Sequence, residues 1–385
     1  MDHALQFGYG LLDRGLIPDF VLRPVIRALL RQRLREIDHG SYEANHAAKM
    51  NWIARSRTRS TIADVPEKAN EQHYEVSTEF ILSCLGPYAK YSSCLYPTGK
   101  ESLEDAEVLM MESYCKQAKL KDGQYVLDLG CGWGSLSLYL AQPGVQKYPQ
   151  SHIIGLSNSA TQKTYIDAQA KKRGLQNVKI ITVDVNNIDF LDCEPFDRIL
   201  SIEMFEHMKN YELLLHKIST WLRPSARPKN QNLNSDSAAT PGAAGPEDED
   251  PDPALLFVHI FCHKTTPYDF EDDGSWMAQT FFSGGTMPSH DLLLYYQNDL
   301  TLLNASYLPG THYAHTLEDW LKRQDANADA GLRELERDAA KKGQSGEGRK
   351  AFFRFRVFYM ACAELFAFHD GQEWGVGHYL FKRKN

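Results

Sequence analysis

Glu203, Glu206 and His207 stand close together in FDRILSIEMFEHMKNYELLL (196–215). Two carboxylates and an imidazole at this spacing can hold a cation and move a proton. If the chain turns helical at 203, the i, i+3, i+4 spacing gathers all three on one face. The plain alternative is a capped helix start with solvated carboxylates, which the helix dipole would also favour. Position favours chemistry, because the cluster falls at the carboxyl end of a predicted central strand, where open α/β sheets bind ligands. An amine acceptor suits such a group. With a lysine-like pKa near 10.4, exposing its lone pair at neutral pH costs roughly 4 to 5 kcal/mol. Glu203 and Glu206 could bind the ammonium while Glu206 or His207 takes the proton.

A second constellation lies upstream. VLDLGCGWGSLSLYLA (126–141) sets a buried strand ahead of Gly130, Gly132 and Gly134, then an apolar helix. Glycines permit a tight turn and a close approach of backbone to ligand, and the helix start offers unpaired N–H groups. The spacing is G-x-G-x-G rather than the dinucleotide pattern G-x-G-x-x-G, and an acid, Asp128, precedes it by two residues. That acid can receive a cationic amino group, and S-adenosylmethionine carries one on its methionine part. Asp184, after the strand VKIITV, could accept the exocyclic amine of adenine, although a lone Asp there is more often a turn residue or cap. The second strand ends in GLSNS without the acid that commonly binds ribose hydroxyls, so Asn158 or Gln162 would have to substitute.

Composition narrows the alternatives. The 385 residues, 43% hydrophobic, can bury one large core or a core with an accessory domain. A net charge of −8 provides no basic field, so nucleic acid is not an expected partner. The seven cysteines form no C-x-x-C pair, which argues against a disulfide framework or zinc site and suits a reducing cytoplasm. Di-metal bundles require paired Glu-x-x-His helices, and only one such segment is present. HIFCH (259–263) adds His259, Cys262 and His263, but strand residues alternate faces and no second ligand pair lies nearby. No metal is expected. Neither a secretory leader nor a membrane span is indicated.

The elements that must position these residues follow an α/β rhythm from about 122. Strands are expected at 124–129, 152–157, 178–183, 196–202, 254–261 and 377–382, with helices at 135–142, 160–173 and 211–222 between them. The early strands should be parallel with right-handed crossovers. Residues 224–253 interrupt the rhythm with six prolines, six acids and one large aliphatic residue; they read as a disordered surface insertion. Residues 19–36 form an amphipathic helix with Val21, Leu22, Val25, Ile26, Leu29 and Leu30 on one face and five arginines largely around the other. A docking helix is favoured over peripheral contact with an anionic membrane.

These residues resemble the coclaurine N-methyltransferase family, a relative of the cyclopropane fatty acid synthases. The likeness runs through KYSSCLYPTG (90–99), LDLGCGWGSL (127–136), GLSNSATQK (155–163), SIEMFEHMKNY (201–211), LLFVHIFCHKT (255–265), FFSGGTMPS (281–289), HYAHTLEDWLKR (312–323) and AELFAFHDGQEW (363–374). The resemblance implies an α/β fold with a Rossmann-like methyltransferase sheet, helices on both faces and a helical N-terminal cap. It implies a cap and cofactor-covering segment over 1–110 and a catalytic domain over 111–385. S-adenosylmethionine would be the cofactor, held by Tyr91, Ser92, Asp128, Gly130, Gly132, Gly134, Ser157, Asn158, Gln162, Asp184 and Val185. Glu203, Glu206 and His207 would handle a small amine or alkaloid-like acceptor. Cyclopropane synthases resemble the chain at Phe205, Glu206 and His207 but carry a small residue where Glu203 stands. Glu203 thus favours N-methylation over the alternative, methylation or cyclopropanation of unsaturated acyl chains. The family's aromatic Tyr-Trp pair is replaced by Arg354 and Phe355, which departs from the benzylisoquinoline pattern.

Overall fold

The computed structural model describes residues 8–63, 77–142, 148–190, 193–225, 250–270, 280–281 and 284–384. Its strands are β1 (Tyr125–Leu129), β2 (His152–Ser157), β3 (Val178–Thr182), β4 (Arg198–Ile202), β5 (Leu255–His263), β6 (Tyr268–Asp269), β7 (Thr286–Met287), β8 (Leu300–Pro309) and β9 (Trp374–Arg383). The helices are α1 (Asp19–Ile37), α2 (Tyr42–Arg57), α3 (Thr78–Cys84), α4 (Leu103–Gln117), α5 (Ser135–Ala141), α6 (Ala160–Lys172), α7 (Tyr211–Trp221), α8 (Thr311–Ala326), α9 (Ala328–Lys341) and α10 (Glu347–Ala367).

Seven strands form one sheet in the order β3-β2-β1-β4-β5-β9-β8. The first five are parallel, as the alternation of apolar runs and helices predicts, while β9 and β8 are antiparallel. The chain reverses direction across the sheet between β1 and β4. That switch point opens a crevice at the strands' carboxyl ends. Side-chain alternation sends Leu256 and Val258 to one apolar layer with α7, and Leu255 and Phe257 to the opposite layer with α4, α5 and α6. Helices therefore cover both faces, as expected. A third, aromatic-rich cluster joins α3, α8 and α10 above the crevice, with Trp320, Phe355, Phe358 and Tyr359 buried in it.

Strand β8 was not expected from the sequence. Most of its residues are only half-buried, Leu303 and Asn304 are exposed, and its register shifts between Leu302 and Asn304. An edge strand with one wet side and a bulge does not show clean alternation.

Helix α1 docks, but differently from the expected apolar face. Leu22 is buried and Ile26 and Leu30 pack on the aromatic cluster, whereas Val21, Val25 and Leu29 are exposed. Arg23 turns inward instead, paired with Glu318 at 2.6 Å and Glu364 at 2.9 Å, and Arg27 pairs with Glu364 at 2.5 Å. The departure has a physical reason: α8 and α10 present carboxylates to this helix, and guanidinium forks match them with parallel hydrogen bonds. No helix among the described residues is long and apolar enough to cross a membrane.

Most of the proline- and acid-rich insertion, residues 226–249, lies outside the described residues. Its distal edge is anchored. Asp250 and Asp252 pair with Arg223 and with the fully buried Arg198, respectively. Replacing 226–249 by a short Gly-Ser linker is expected to leave melting temperature and cofactor binding nearly unchanged. A replacement reaching 253 also removes Asp252 and leaves Arg198 without its anionic partner, at about 1 to 3 kcal/mol. Thermal melts of the two deletions check this; a large loss in the shorter one would show that the insertion carries structure.

Candidate active site

The glycine turn forms as its sequence requires. Gly130, Gly132 and Gly134 have φ of +85°, +52° and +77°, a region that side chains with a Cβ rarely adopt. A Cβ at Gly130 would meet Met204 at 2.7 Å and one at Gly134 would meet Ile166 at 2.7 Å, but at Gly132 nothing lies within 4 Å. The first and third glycines serve packing, and the middle one faces open space. The N–H groups of Gly130 and Cys131 both donate to Leu156 O, tying the turn to β2.

A crevice with roughly 500 Å³ of empty space, partly open to solvent, runs beside this turn. Its wall includes Tyr91, Ser92, Asp128, Gly130, Gly132, Trp133 and Glu203. Asp128 is buried near the end of β1 and is hydrogen-bonded by Ser137, whose Oγ donates at 2.6 Å. Burial raises its pKa to about 6, and a cation brought to it would favour the ionised form. Tyr91 stacks on Trp320 at 5.3 Å between ring centres, joining the crevice to the aromatic cluster.

The other expected cofactor residues stand at the ends of β2 and β3, beyond that wall. Ser157 Oγ donates to Gln162 Oε1 at 2.7 Å, and the buried Gln162 Nε2 has no hydrogen-bond partner among the described residues. Asn158 is exposed and Val185 buried. The Asp184 carboxylate accepts the Asn186 N–H at 2.9 Å and its side-chain amide at 3.2 Å, while Asn186 Oδ1 receives the N–H of Ile62. In this structure Asp184 shapes a turn that binds residues 62–63 to the sheet.

The carboxylate and histidine cluster is assembled by a bend, not by a helix face. Glu203 has φ of +50°, and its N–H still donates to His259 O at 2.8 Å, continuing the β4–β5 ladder. Only a 3-10 turn, Phe205–His207, follows. The helical spacing expected from 203 is thus replaced by a strand end that folds sharply over the crevice. Glu203 accepts hydrogen bonds from the Ser93 N–H at 3.0 Å, His259 Nε2 at 3.0 Å and the Tyr313 hydroxyl at 2.5 Å. Glu206 is buried, and its Oε2 has no hydrogen-bond partner among the described residues. Burial and the charge of Glu203 hold the Glu206 pKa well above the ordinary carboxylate range. Burial lowers His207 to about 4.

Several members of this site were not singled out by sequence. Lys90 is buried, donates to Ser92 Oγ at 2.5 Å and Ser93 O at 2.6 Å, and lies over the Tyr114 ring at 5.2 Å. Glu107 of α4 accepts the N–H of Tyr88 at 3.0 Å and of Lys90 at 3.2 Å, holding the loop that carries Tyr91 and Ser92. The one available signal was the dense polar run KYSS inside an otherwise apolar stretch. All seven cysteines are free, and no group of three or more potential ligands could hold a metal among the described residues.

The model of the mycolic acid cyclopropane synthetase family matches residues 63–367. (S)-coclaurine N-methyltransferase from Thalictrum flavum subsp. glaucum is 36% identical over 97% of this chain and 94% of its own length. The crystal structure of a coclaurine N-methyltransferase bound to N-methylheliamine and SAH superposes with a TM-score of 0.85 at 34% identity, covering 99% of this chain and 100% of that one. Cyclopropane-fatty-acyl-phospholipid synthase of Escherichia coli (strain K12) is more distant, 26% identical over 80% of this chain and 66% of its own. The chain belongs to the mycolic acid cyclopropane synthetase family and, within it, to the group that contains coclaurine N-methyltransferase.

Proposed function

We propose that the chain transfers a methyl group from S-adenosylmethionine to the nitrogen of a small, alkaloid-like amine. The observation that carries this reading is the buried Glu203 carboxylate, aimed into the crevice wall and held by three hydrogen-bond donors. An alkene acceptor has no charge for such a group to meet. An ammonium does.

The residues fit the cofactor. Gly132 leaves open space against the backbone, Asp128 is a buried carboxylate held only through Ser137 among the described residues, and Gln162 offers an unpartnered amide nitrogen among them. Tyr91, Ser92, Gly130 and Gly134 would complete the methionine and turn contacts, with Ser157, Asn158, Asp184 and Val185 toward the nucleoside. S-adenosylmethionine supplies a methyl group activated by its sulfonium. The protein's own contribution is binding, orientation and proton removal. Glu203 and Glu206 repel each other when both are ionised, and an ammonium between them reverses that penalty. Glu206, with its raised pKa, and the neutral His207 are the proton acceptors beside it. The likeness to a relative whose structure holds an N-methylated amine and SAH supports the same assignment.

Glu203→Gln keeps the shape and removes the charge. It is expected to raise the amine KM about tenfold or more and to leave cofactor affinity near the wild-type value. Labelled-cofactor assays against amine and unsaturated phospholipid pools test the whole reading, and a preference for phospholipid over every amine would overturn it.

A further inference from the structure

A line of buried polar side chains leaves the site behind Glu203 and crosses the sheet. His259 Nε2 lies 3.0 Å from Glu203 Oε1, and His259 Nδ1 lies 2.8 Å from His378 Nε2 on the neighbouring strand, where the two residues are directly paired. His378 Nδ1 lies 2.9 Å from Gln117 Nε2 on α4, and the Tyr114 hydroxyl lies 3.1 Å from His259 Nδ1. His259 and His378 are fully buried.

We propose that His259 is a positioning residue: a neutral imidazole with its proton fixed on Nε2, which aims the Glu203 carboxylate at the acceptor and is itself fixed by His378 and Gln117. The proposal rests on the assignment of Glu203 as receiver of the cationic amine.

Hydrogen-bond accounting sets the direction of the chain. An ionised Glu203 can only accept, so His259 must donate from Nε2. If His259 is neutral, its Nδ1 is an acceptor, and His378 must donate to it from Nε2. His378 Nδ1 must then accept, and the amide NH₂ of Gln117 is a donor that satisfies it. The Tyr114 hydroxyl, 3.1 Å from His259 Nδ1, is a second donor to that nitrogen, and the shorter contact is the 2.8 Å one from His378. Neutrality is enforced by surroundings: burial and the nearby Lys90 ammonium hold His259 well below its ordinary pKa, and burial with His259 and Lys90 does the same for His378.

This arrangement serves the chemistry in two ways. A charged imidazolium against Glu203 would cancel the charge that draws an ammonium, whereas a neutral donor orients the carboxylate and leaves its charge in place. The other groups facing Glu203 sort consistently: Ser93 and Tyr313 donate as neutral groups, Lys90 lies nearby but bonds to Ser92 and Ser93, and Glu206 and His207, on the 3-10 turn that follows, interact with Glu203 through charge. The chain also ends in an amide, which does not take up a proton at neutral pH. The line of imidazoles therefore offers the acceptor's proton no terminal base, which is consistent with Glu206 or His207 taking it.

Nitrogen-15 NMR of imidazole-labelled full-length protein tests the tautomer directly. The expected result is one protonated and one bare nitrogen in His259, with the proton on Nε2, from about pH 6 to 9. Protonation of both nitrogens, or the proton on Nδ1, would overturn the proposal irrespective of whether any amine is methylated, which separates its failure from that of the functional assignment. Among variants, His259→Leu should raise the amine KM about tenfold or more with cofactor Kd unchanged. His259→Gln, whose amide can donate near the Nε2 position, should recover much of the loss. Equal KM values in wild type and His259→Leu would sink the idea; should the leucine variant fail to fold, the wild-type spectrum and the glutamine variant decide.

Discussion

Glu206→Ala and His207→Ala are each expected to lower kcat/KM on an amine by about a hundredfold or more, the usual contribution of a positioned acid–base group. Each change removes a group proposed to take the acceptor's proton, the buried Glu206 or the half-buried His207, and neither touches the glycine turn, so cofactor affinity should stay near wild type. The pH profile gives the sharper signature. Glu206 is held above the ordinary carboxylate range, so as pH falls through its raised pKa the pair takes up a proton and loses charge that an ammonium needs. Wild-type activity should therefore rise toward alkaline pH. The alanine variants should recover partly there, because free amine becomes more abundant and needs less help from the protein. Rate profiles of wild type and both variants on one good amine check this, and profiles that stay parallel across pH would remove proton transfer from the role of these residues.

Gly132→Trp should abolish measurable binding of S-adenosylmethionine, a loss of roughly a hundredfold or more, or about 2.8 kcal/mol. The wild type should bind in the micromolar range typical of enzyme ligands. The choice of glycine matters. At Gly130 or Gly134 a side chain would collide with Met204 or Ile166 and strain the fold, whereas at Gly132 it would enter open space and fill the crevice. Gly132 still has a left-handed φ of +52°, so loss of binding with stability lowered by only about 1 to 2 kcal/mol is the expected pair of results in calorimetry and thermal unfolding. A linked effect concerns Asp128. Its pKa of about 6 in the empty site means that below that pH a cationic ligand must displace a proton, so affinity should fall by up to about tenfold for each unit below 6. The same shift acts on stability with a defined sign. A carboxyl raised above its unfolded value near 3.9 stabilises the fold at low pH, and that contribution is lost as pH rises through about 6.

The glycine turn and the five parallel strands were legible because each is local. The apolar run into Asp128 and Gly130, and the alternation of short strands with helices, are properties of short windows. Glu203, Glu206 and His207 were singled out by an argument the structure replaces. A helix face was expected; a left-handed bend at Glu203 and a single 3-10 turn do the gathering. No spacing rule signals that bend, since it depends on the ladder to His259 continuing one residue past β4. His259 itself was noticed as a weak metal candidate. Its true partners, Glu203 and His378, are 56 and 119 residues away, and only strand register brings them together. The same holds for α1, where inward arginines could not be told from solvated ones until Glu318 and Glu364 were placed opposite them.

Strand β9 has a further meaning for how the molecule comes to exist. All nine residues of β5 are buried, and β9 is the strand that seals their outer edge. Paired residues of the two lie more than a hundred positions apart, as His259 and His378 illustrate. Until that long loop closes, β5 is a bare apolar edge with open hydrogen-bonding groups, the feature that most readily recruits a neighbouring chain. Closure of distant pairings is slow compared with forming the local parallel units. The half of the sheet that carries the glycine turn can assemble early, while the half that carries His259 and His378 waits on the slowest event, and the interval between them is when the chain is most exposed to aggregation.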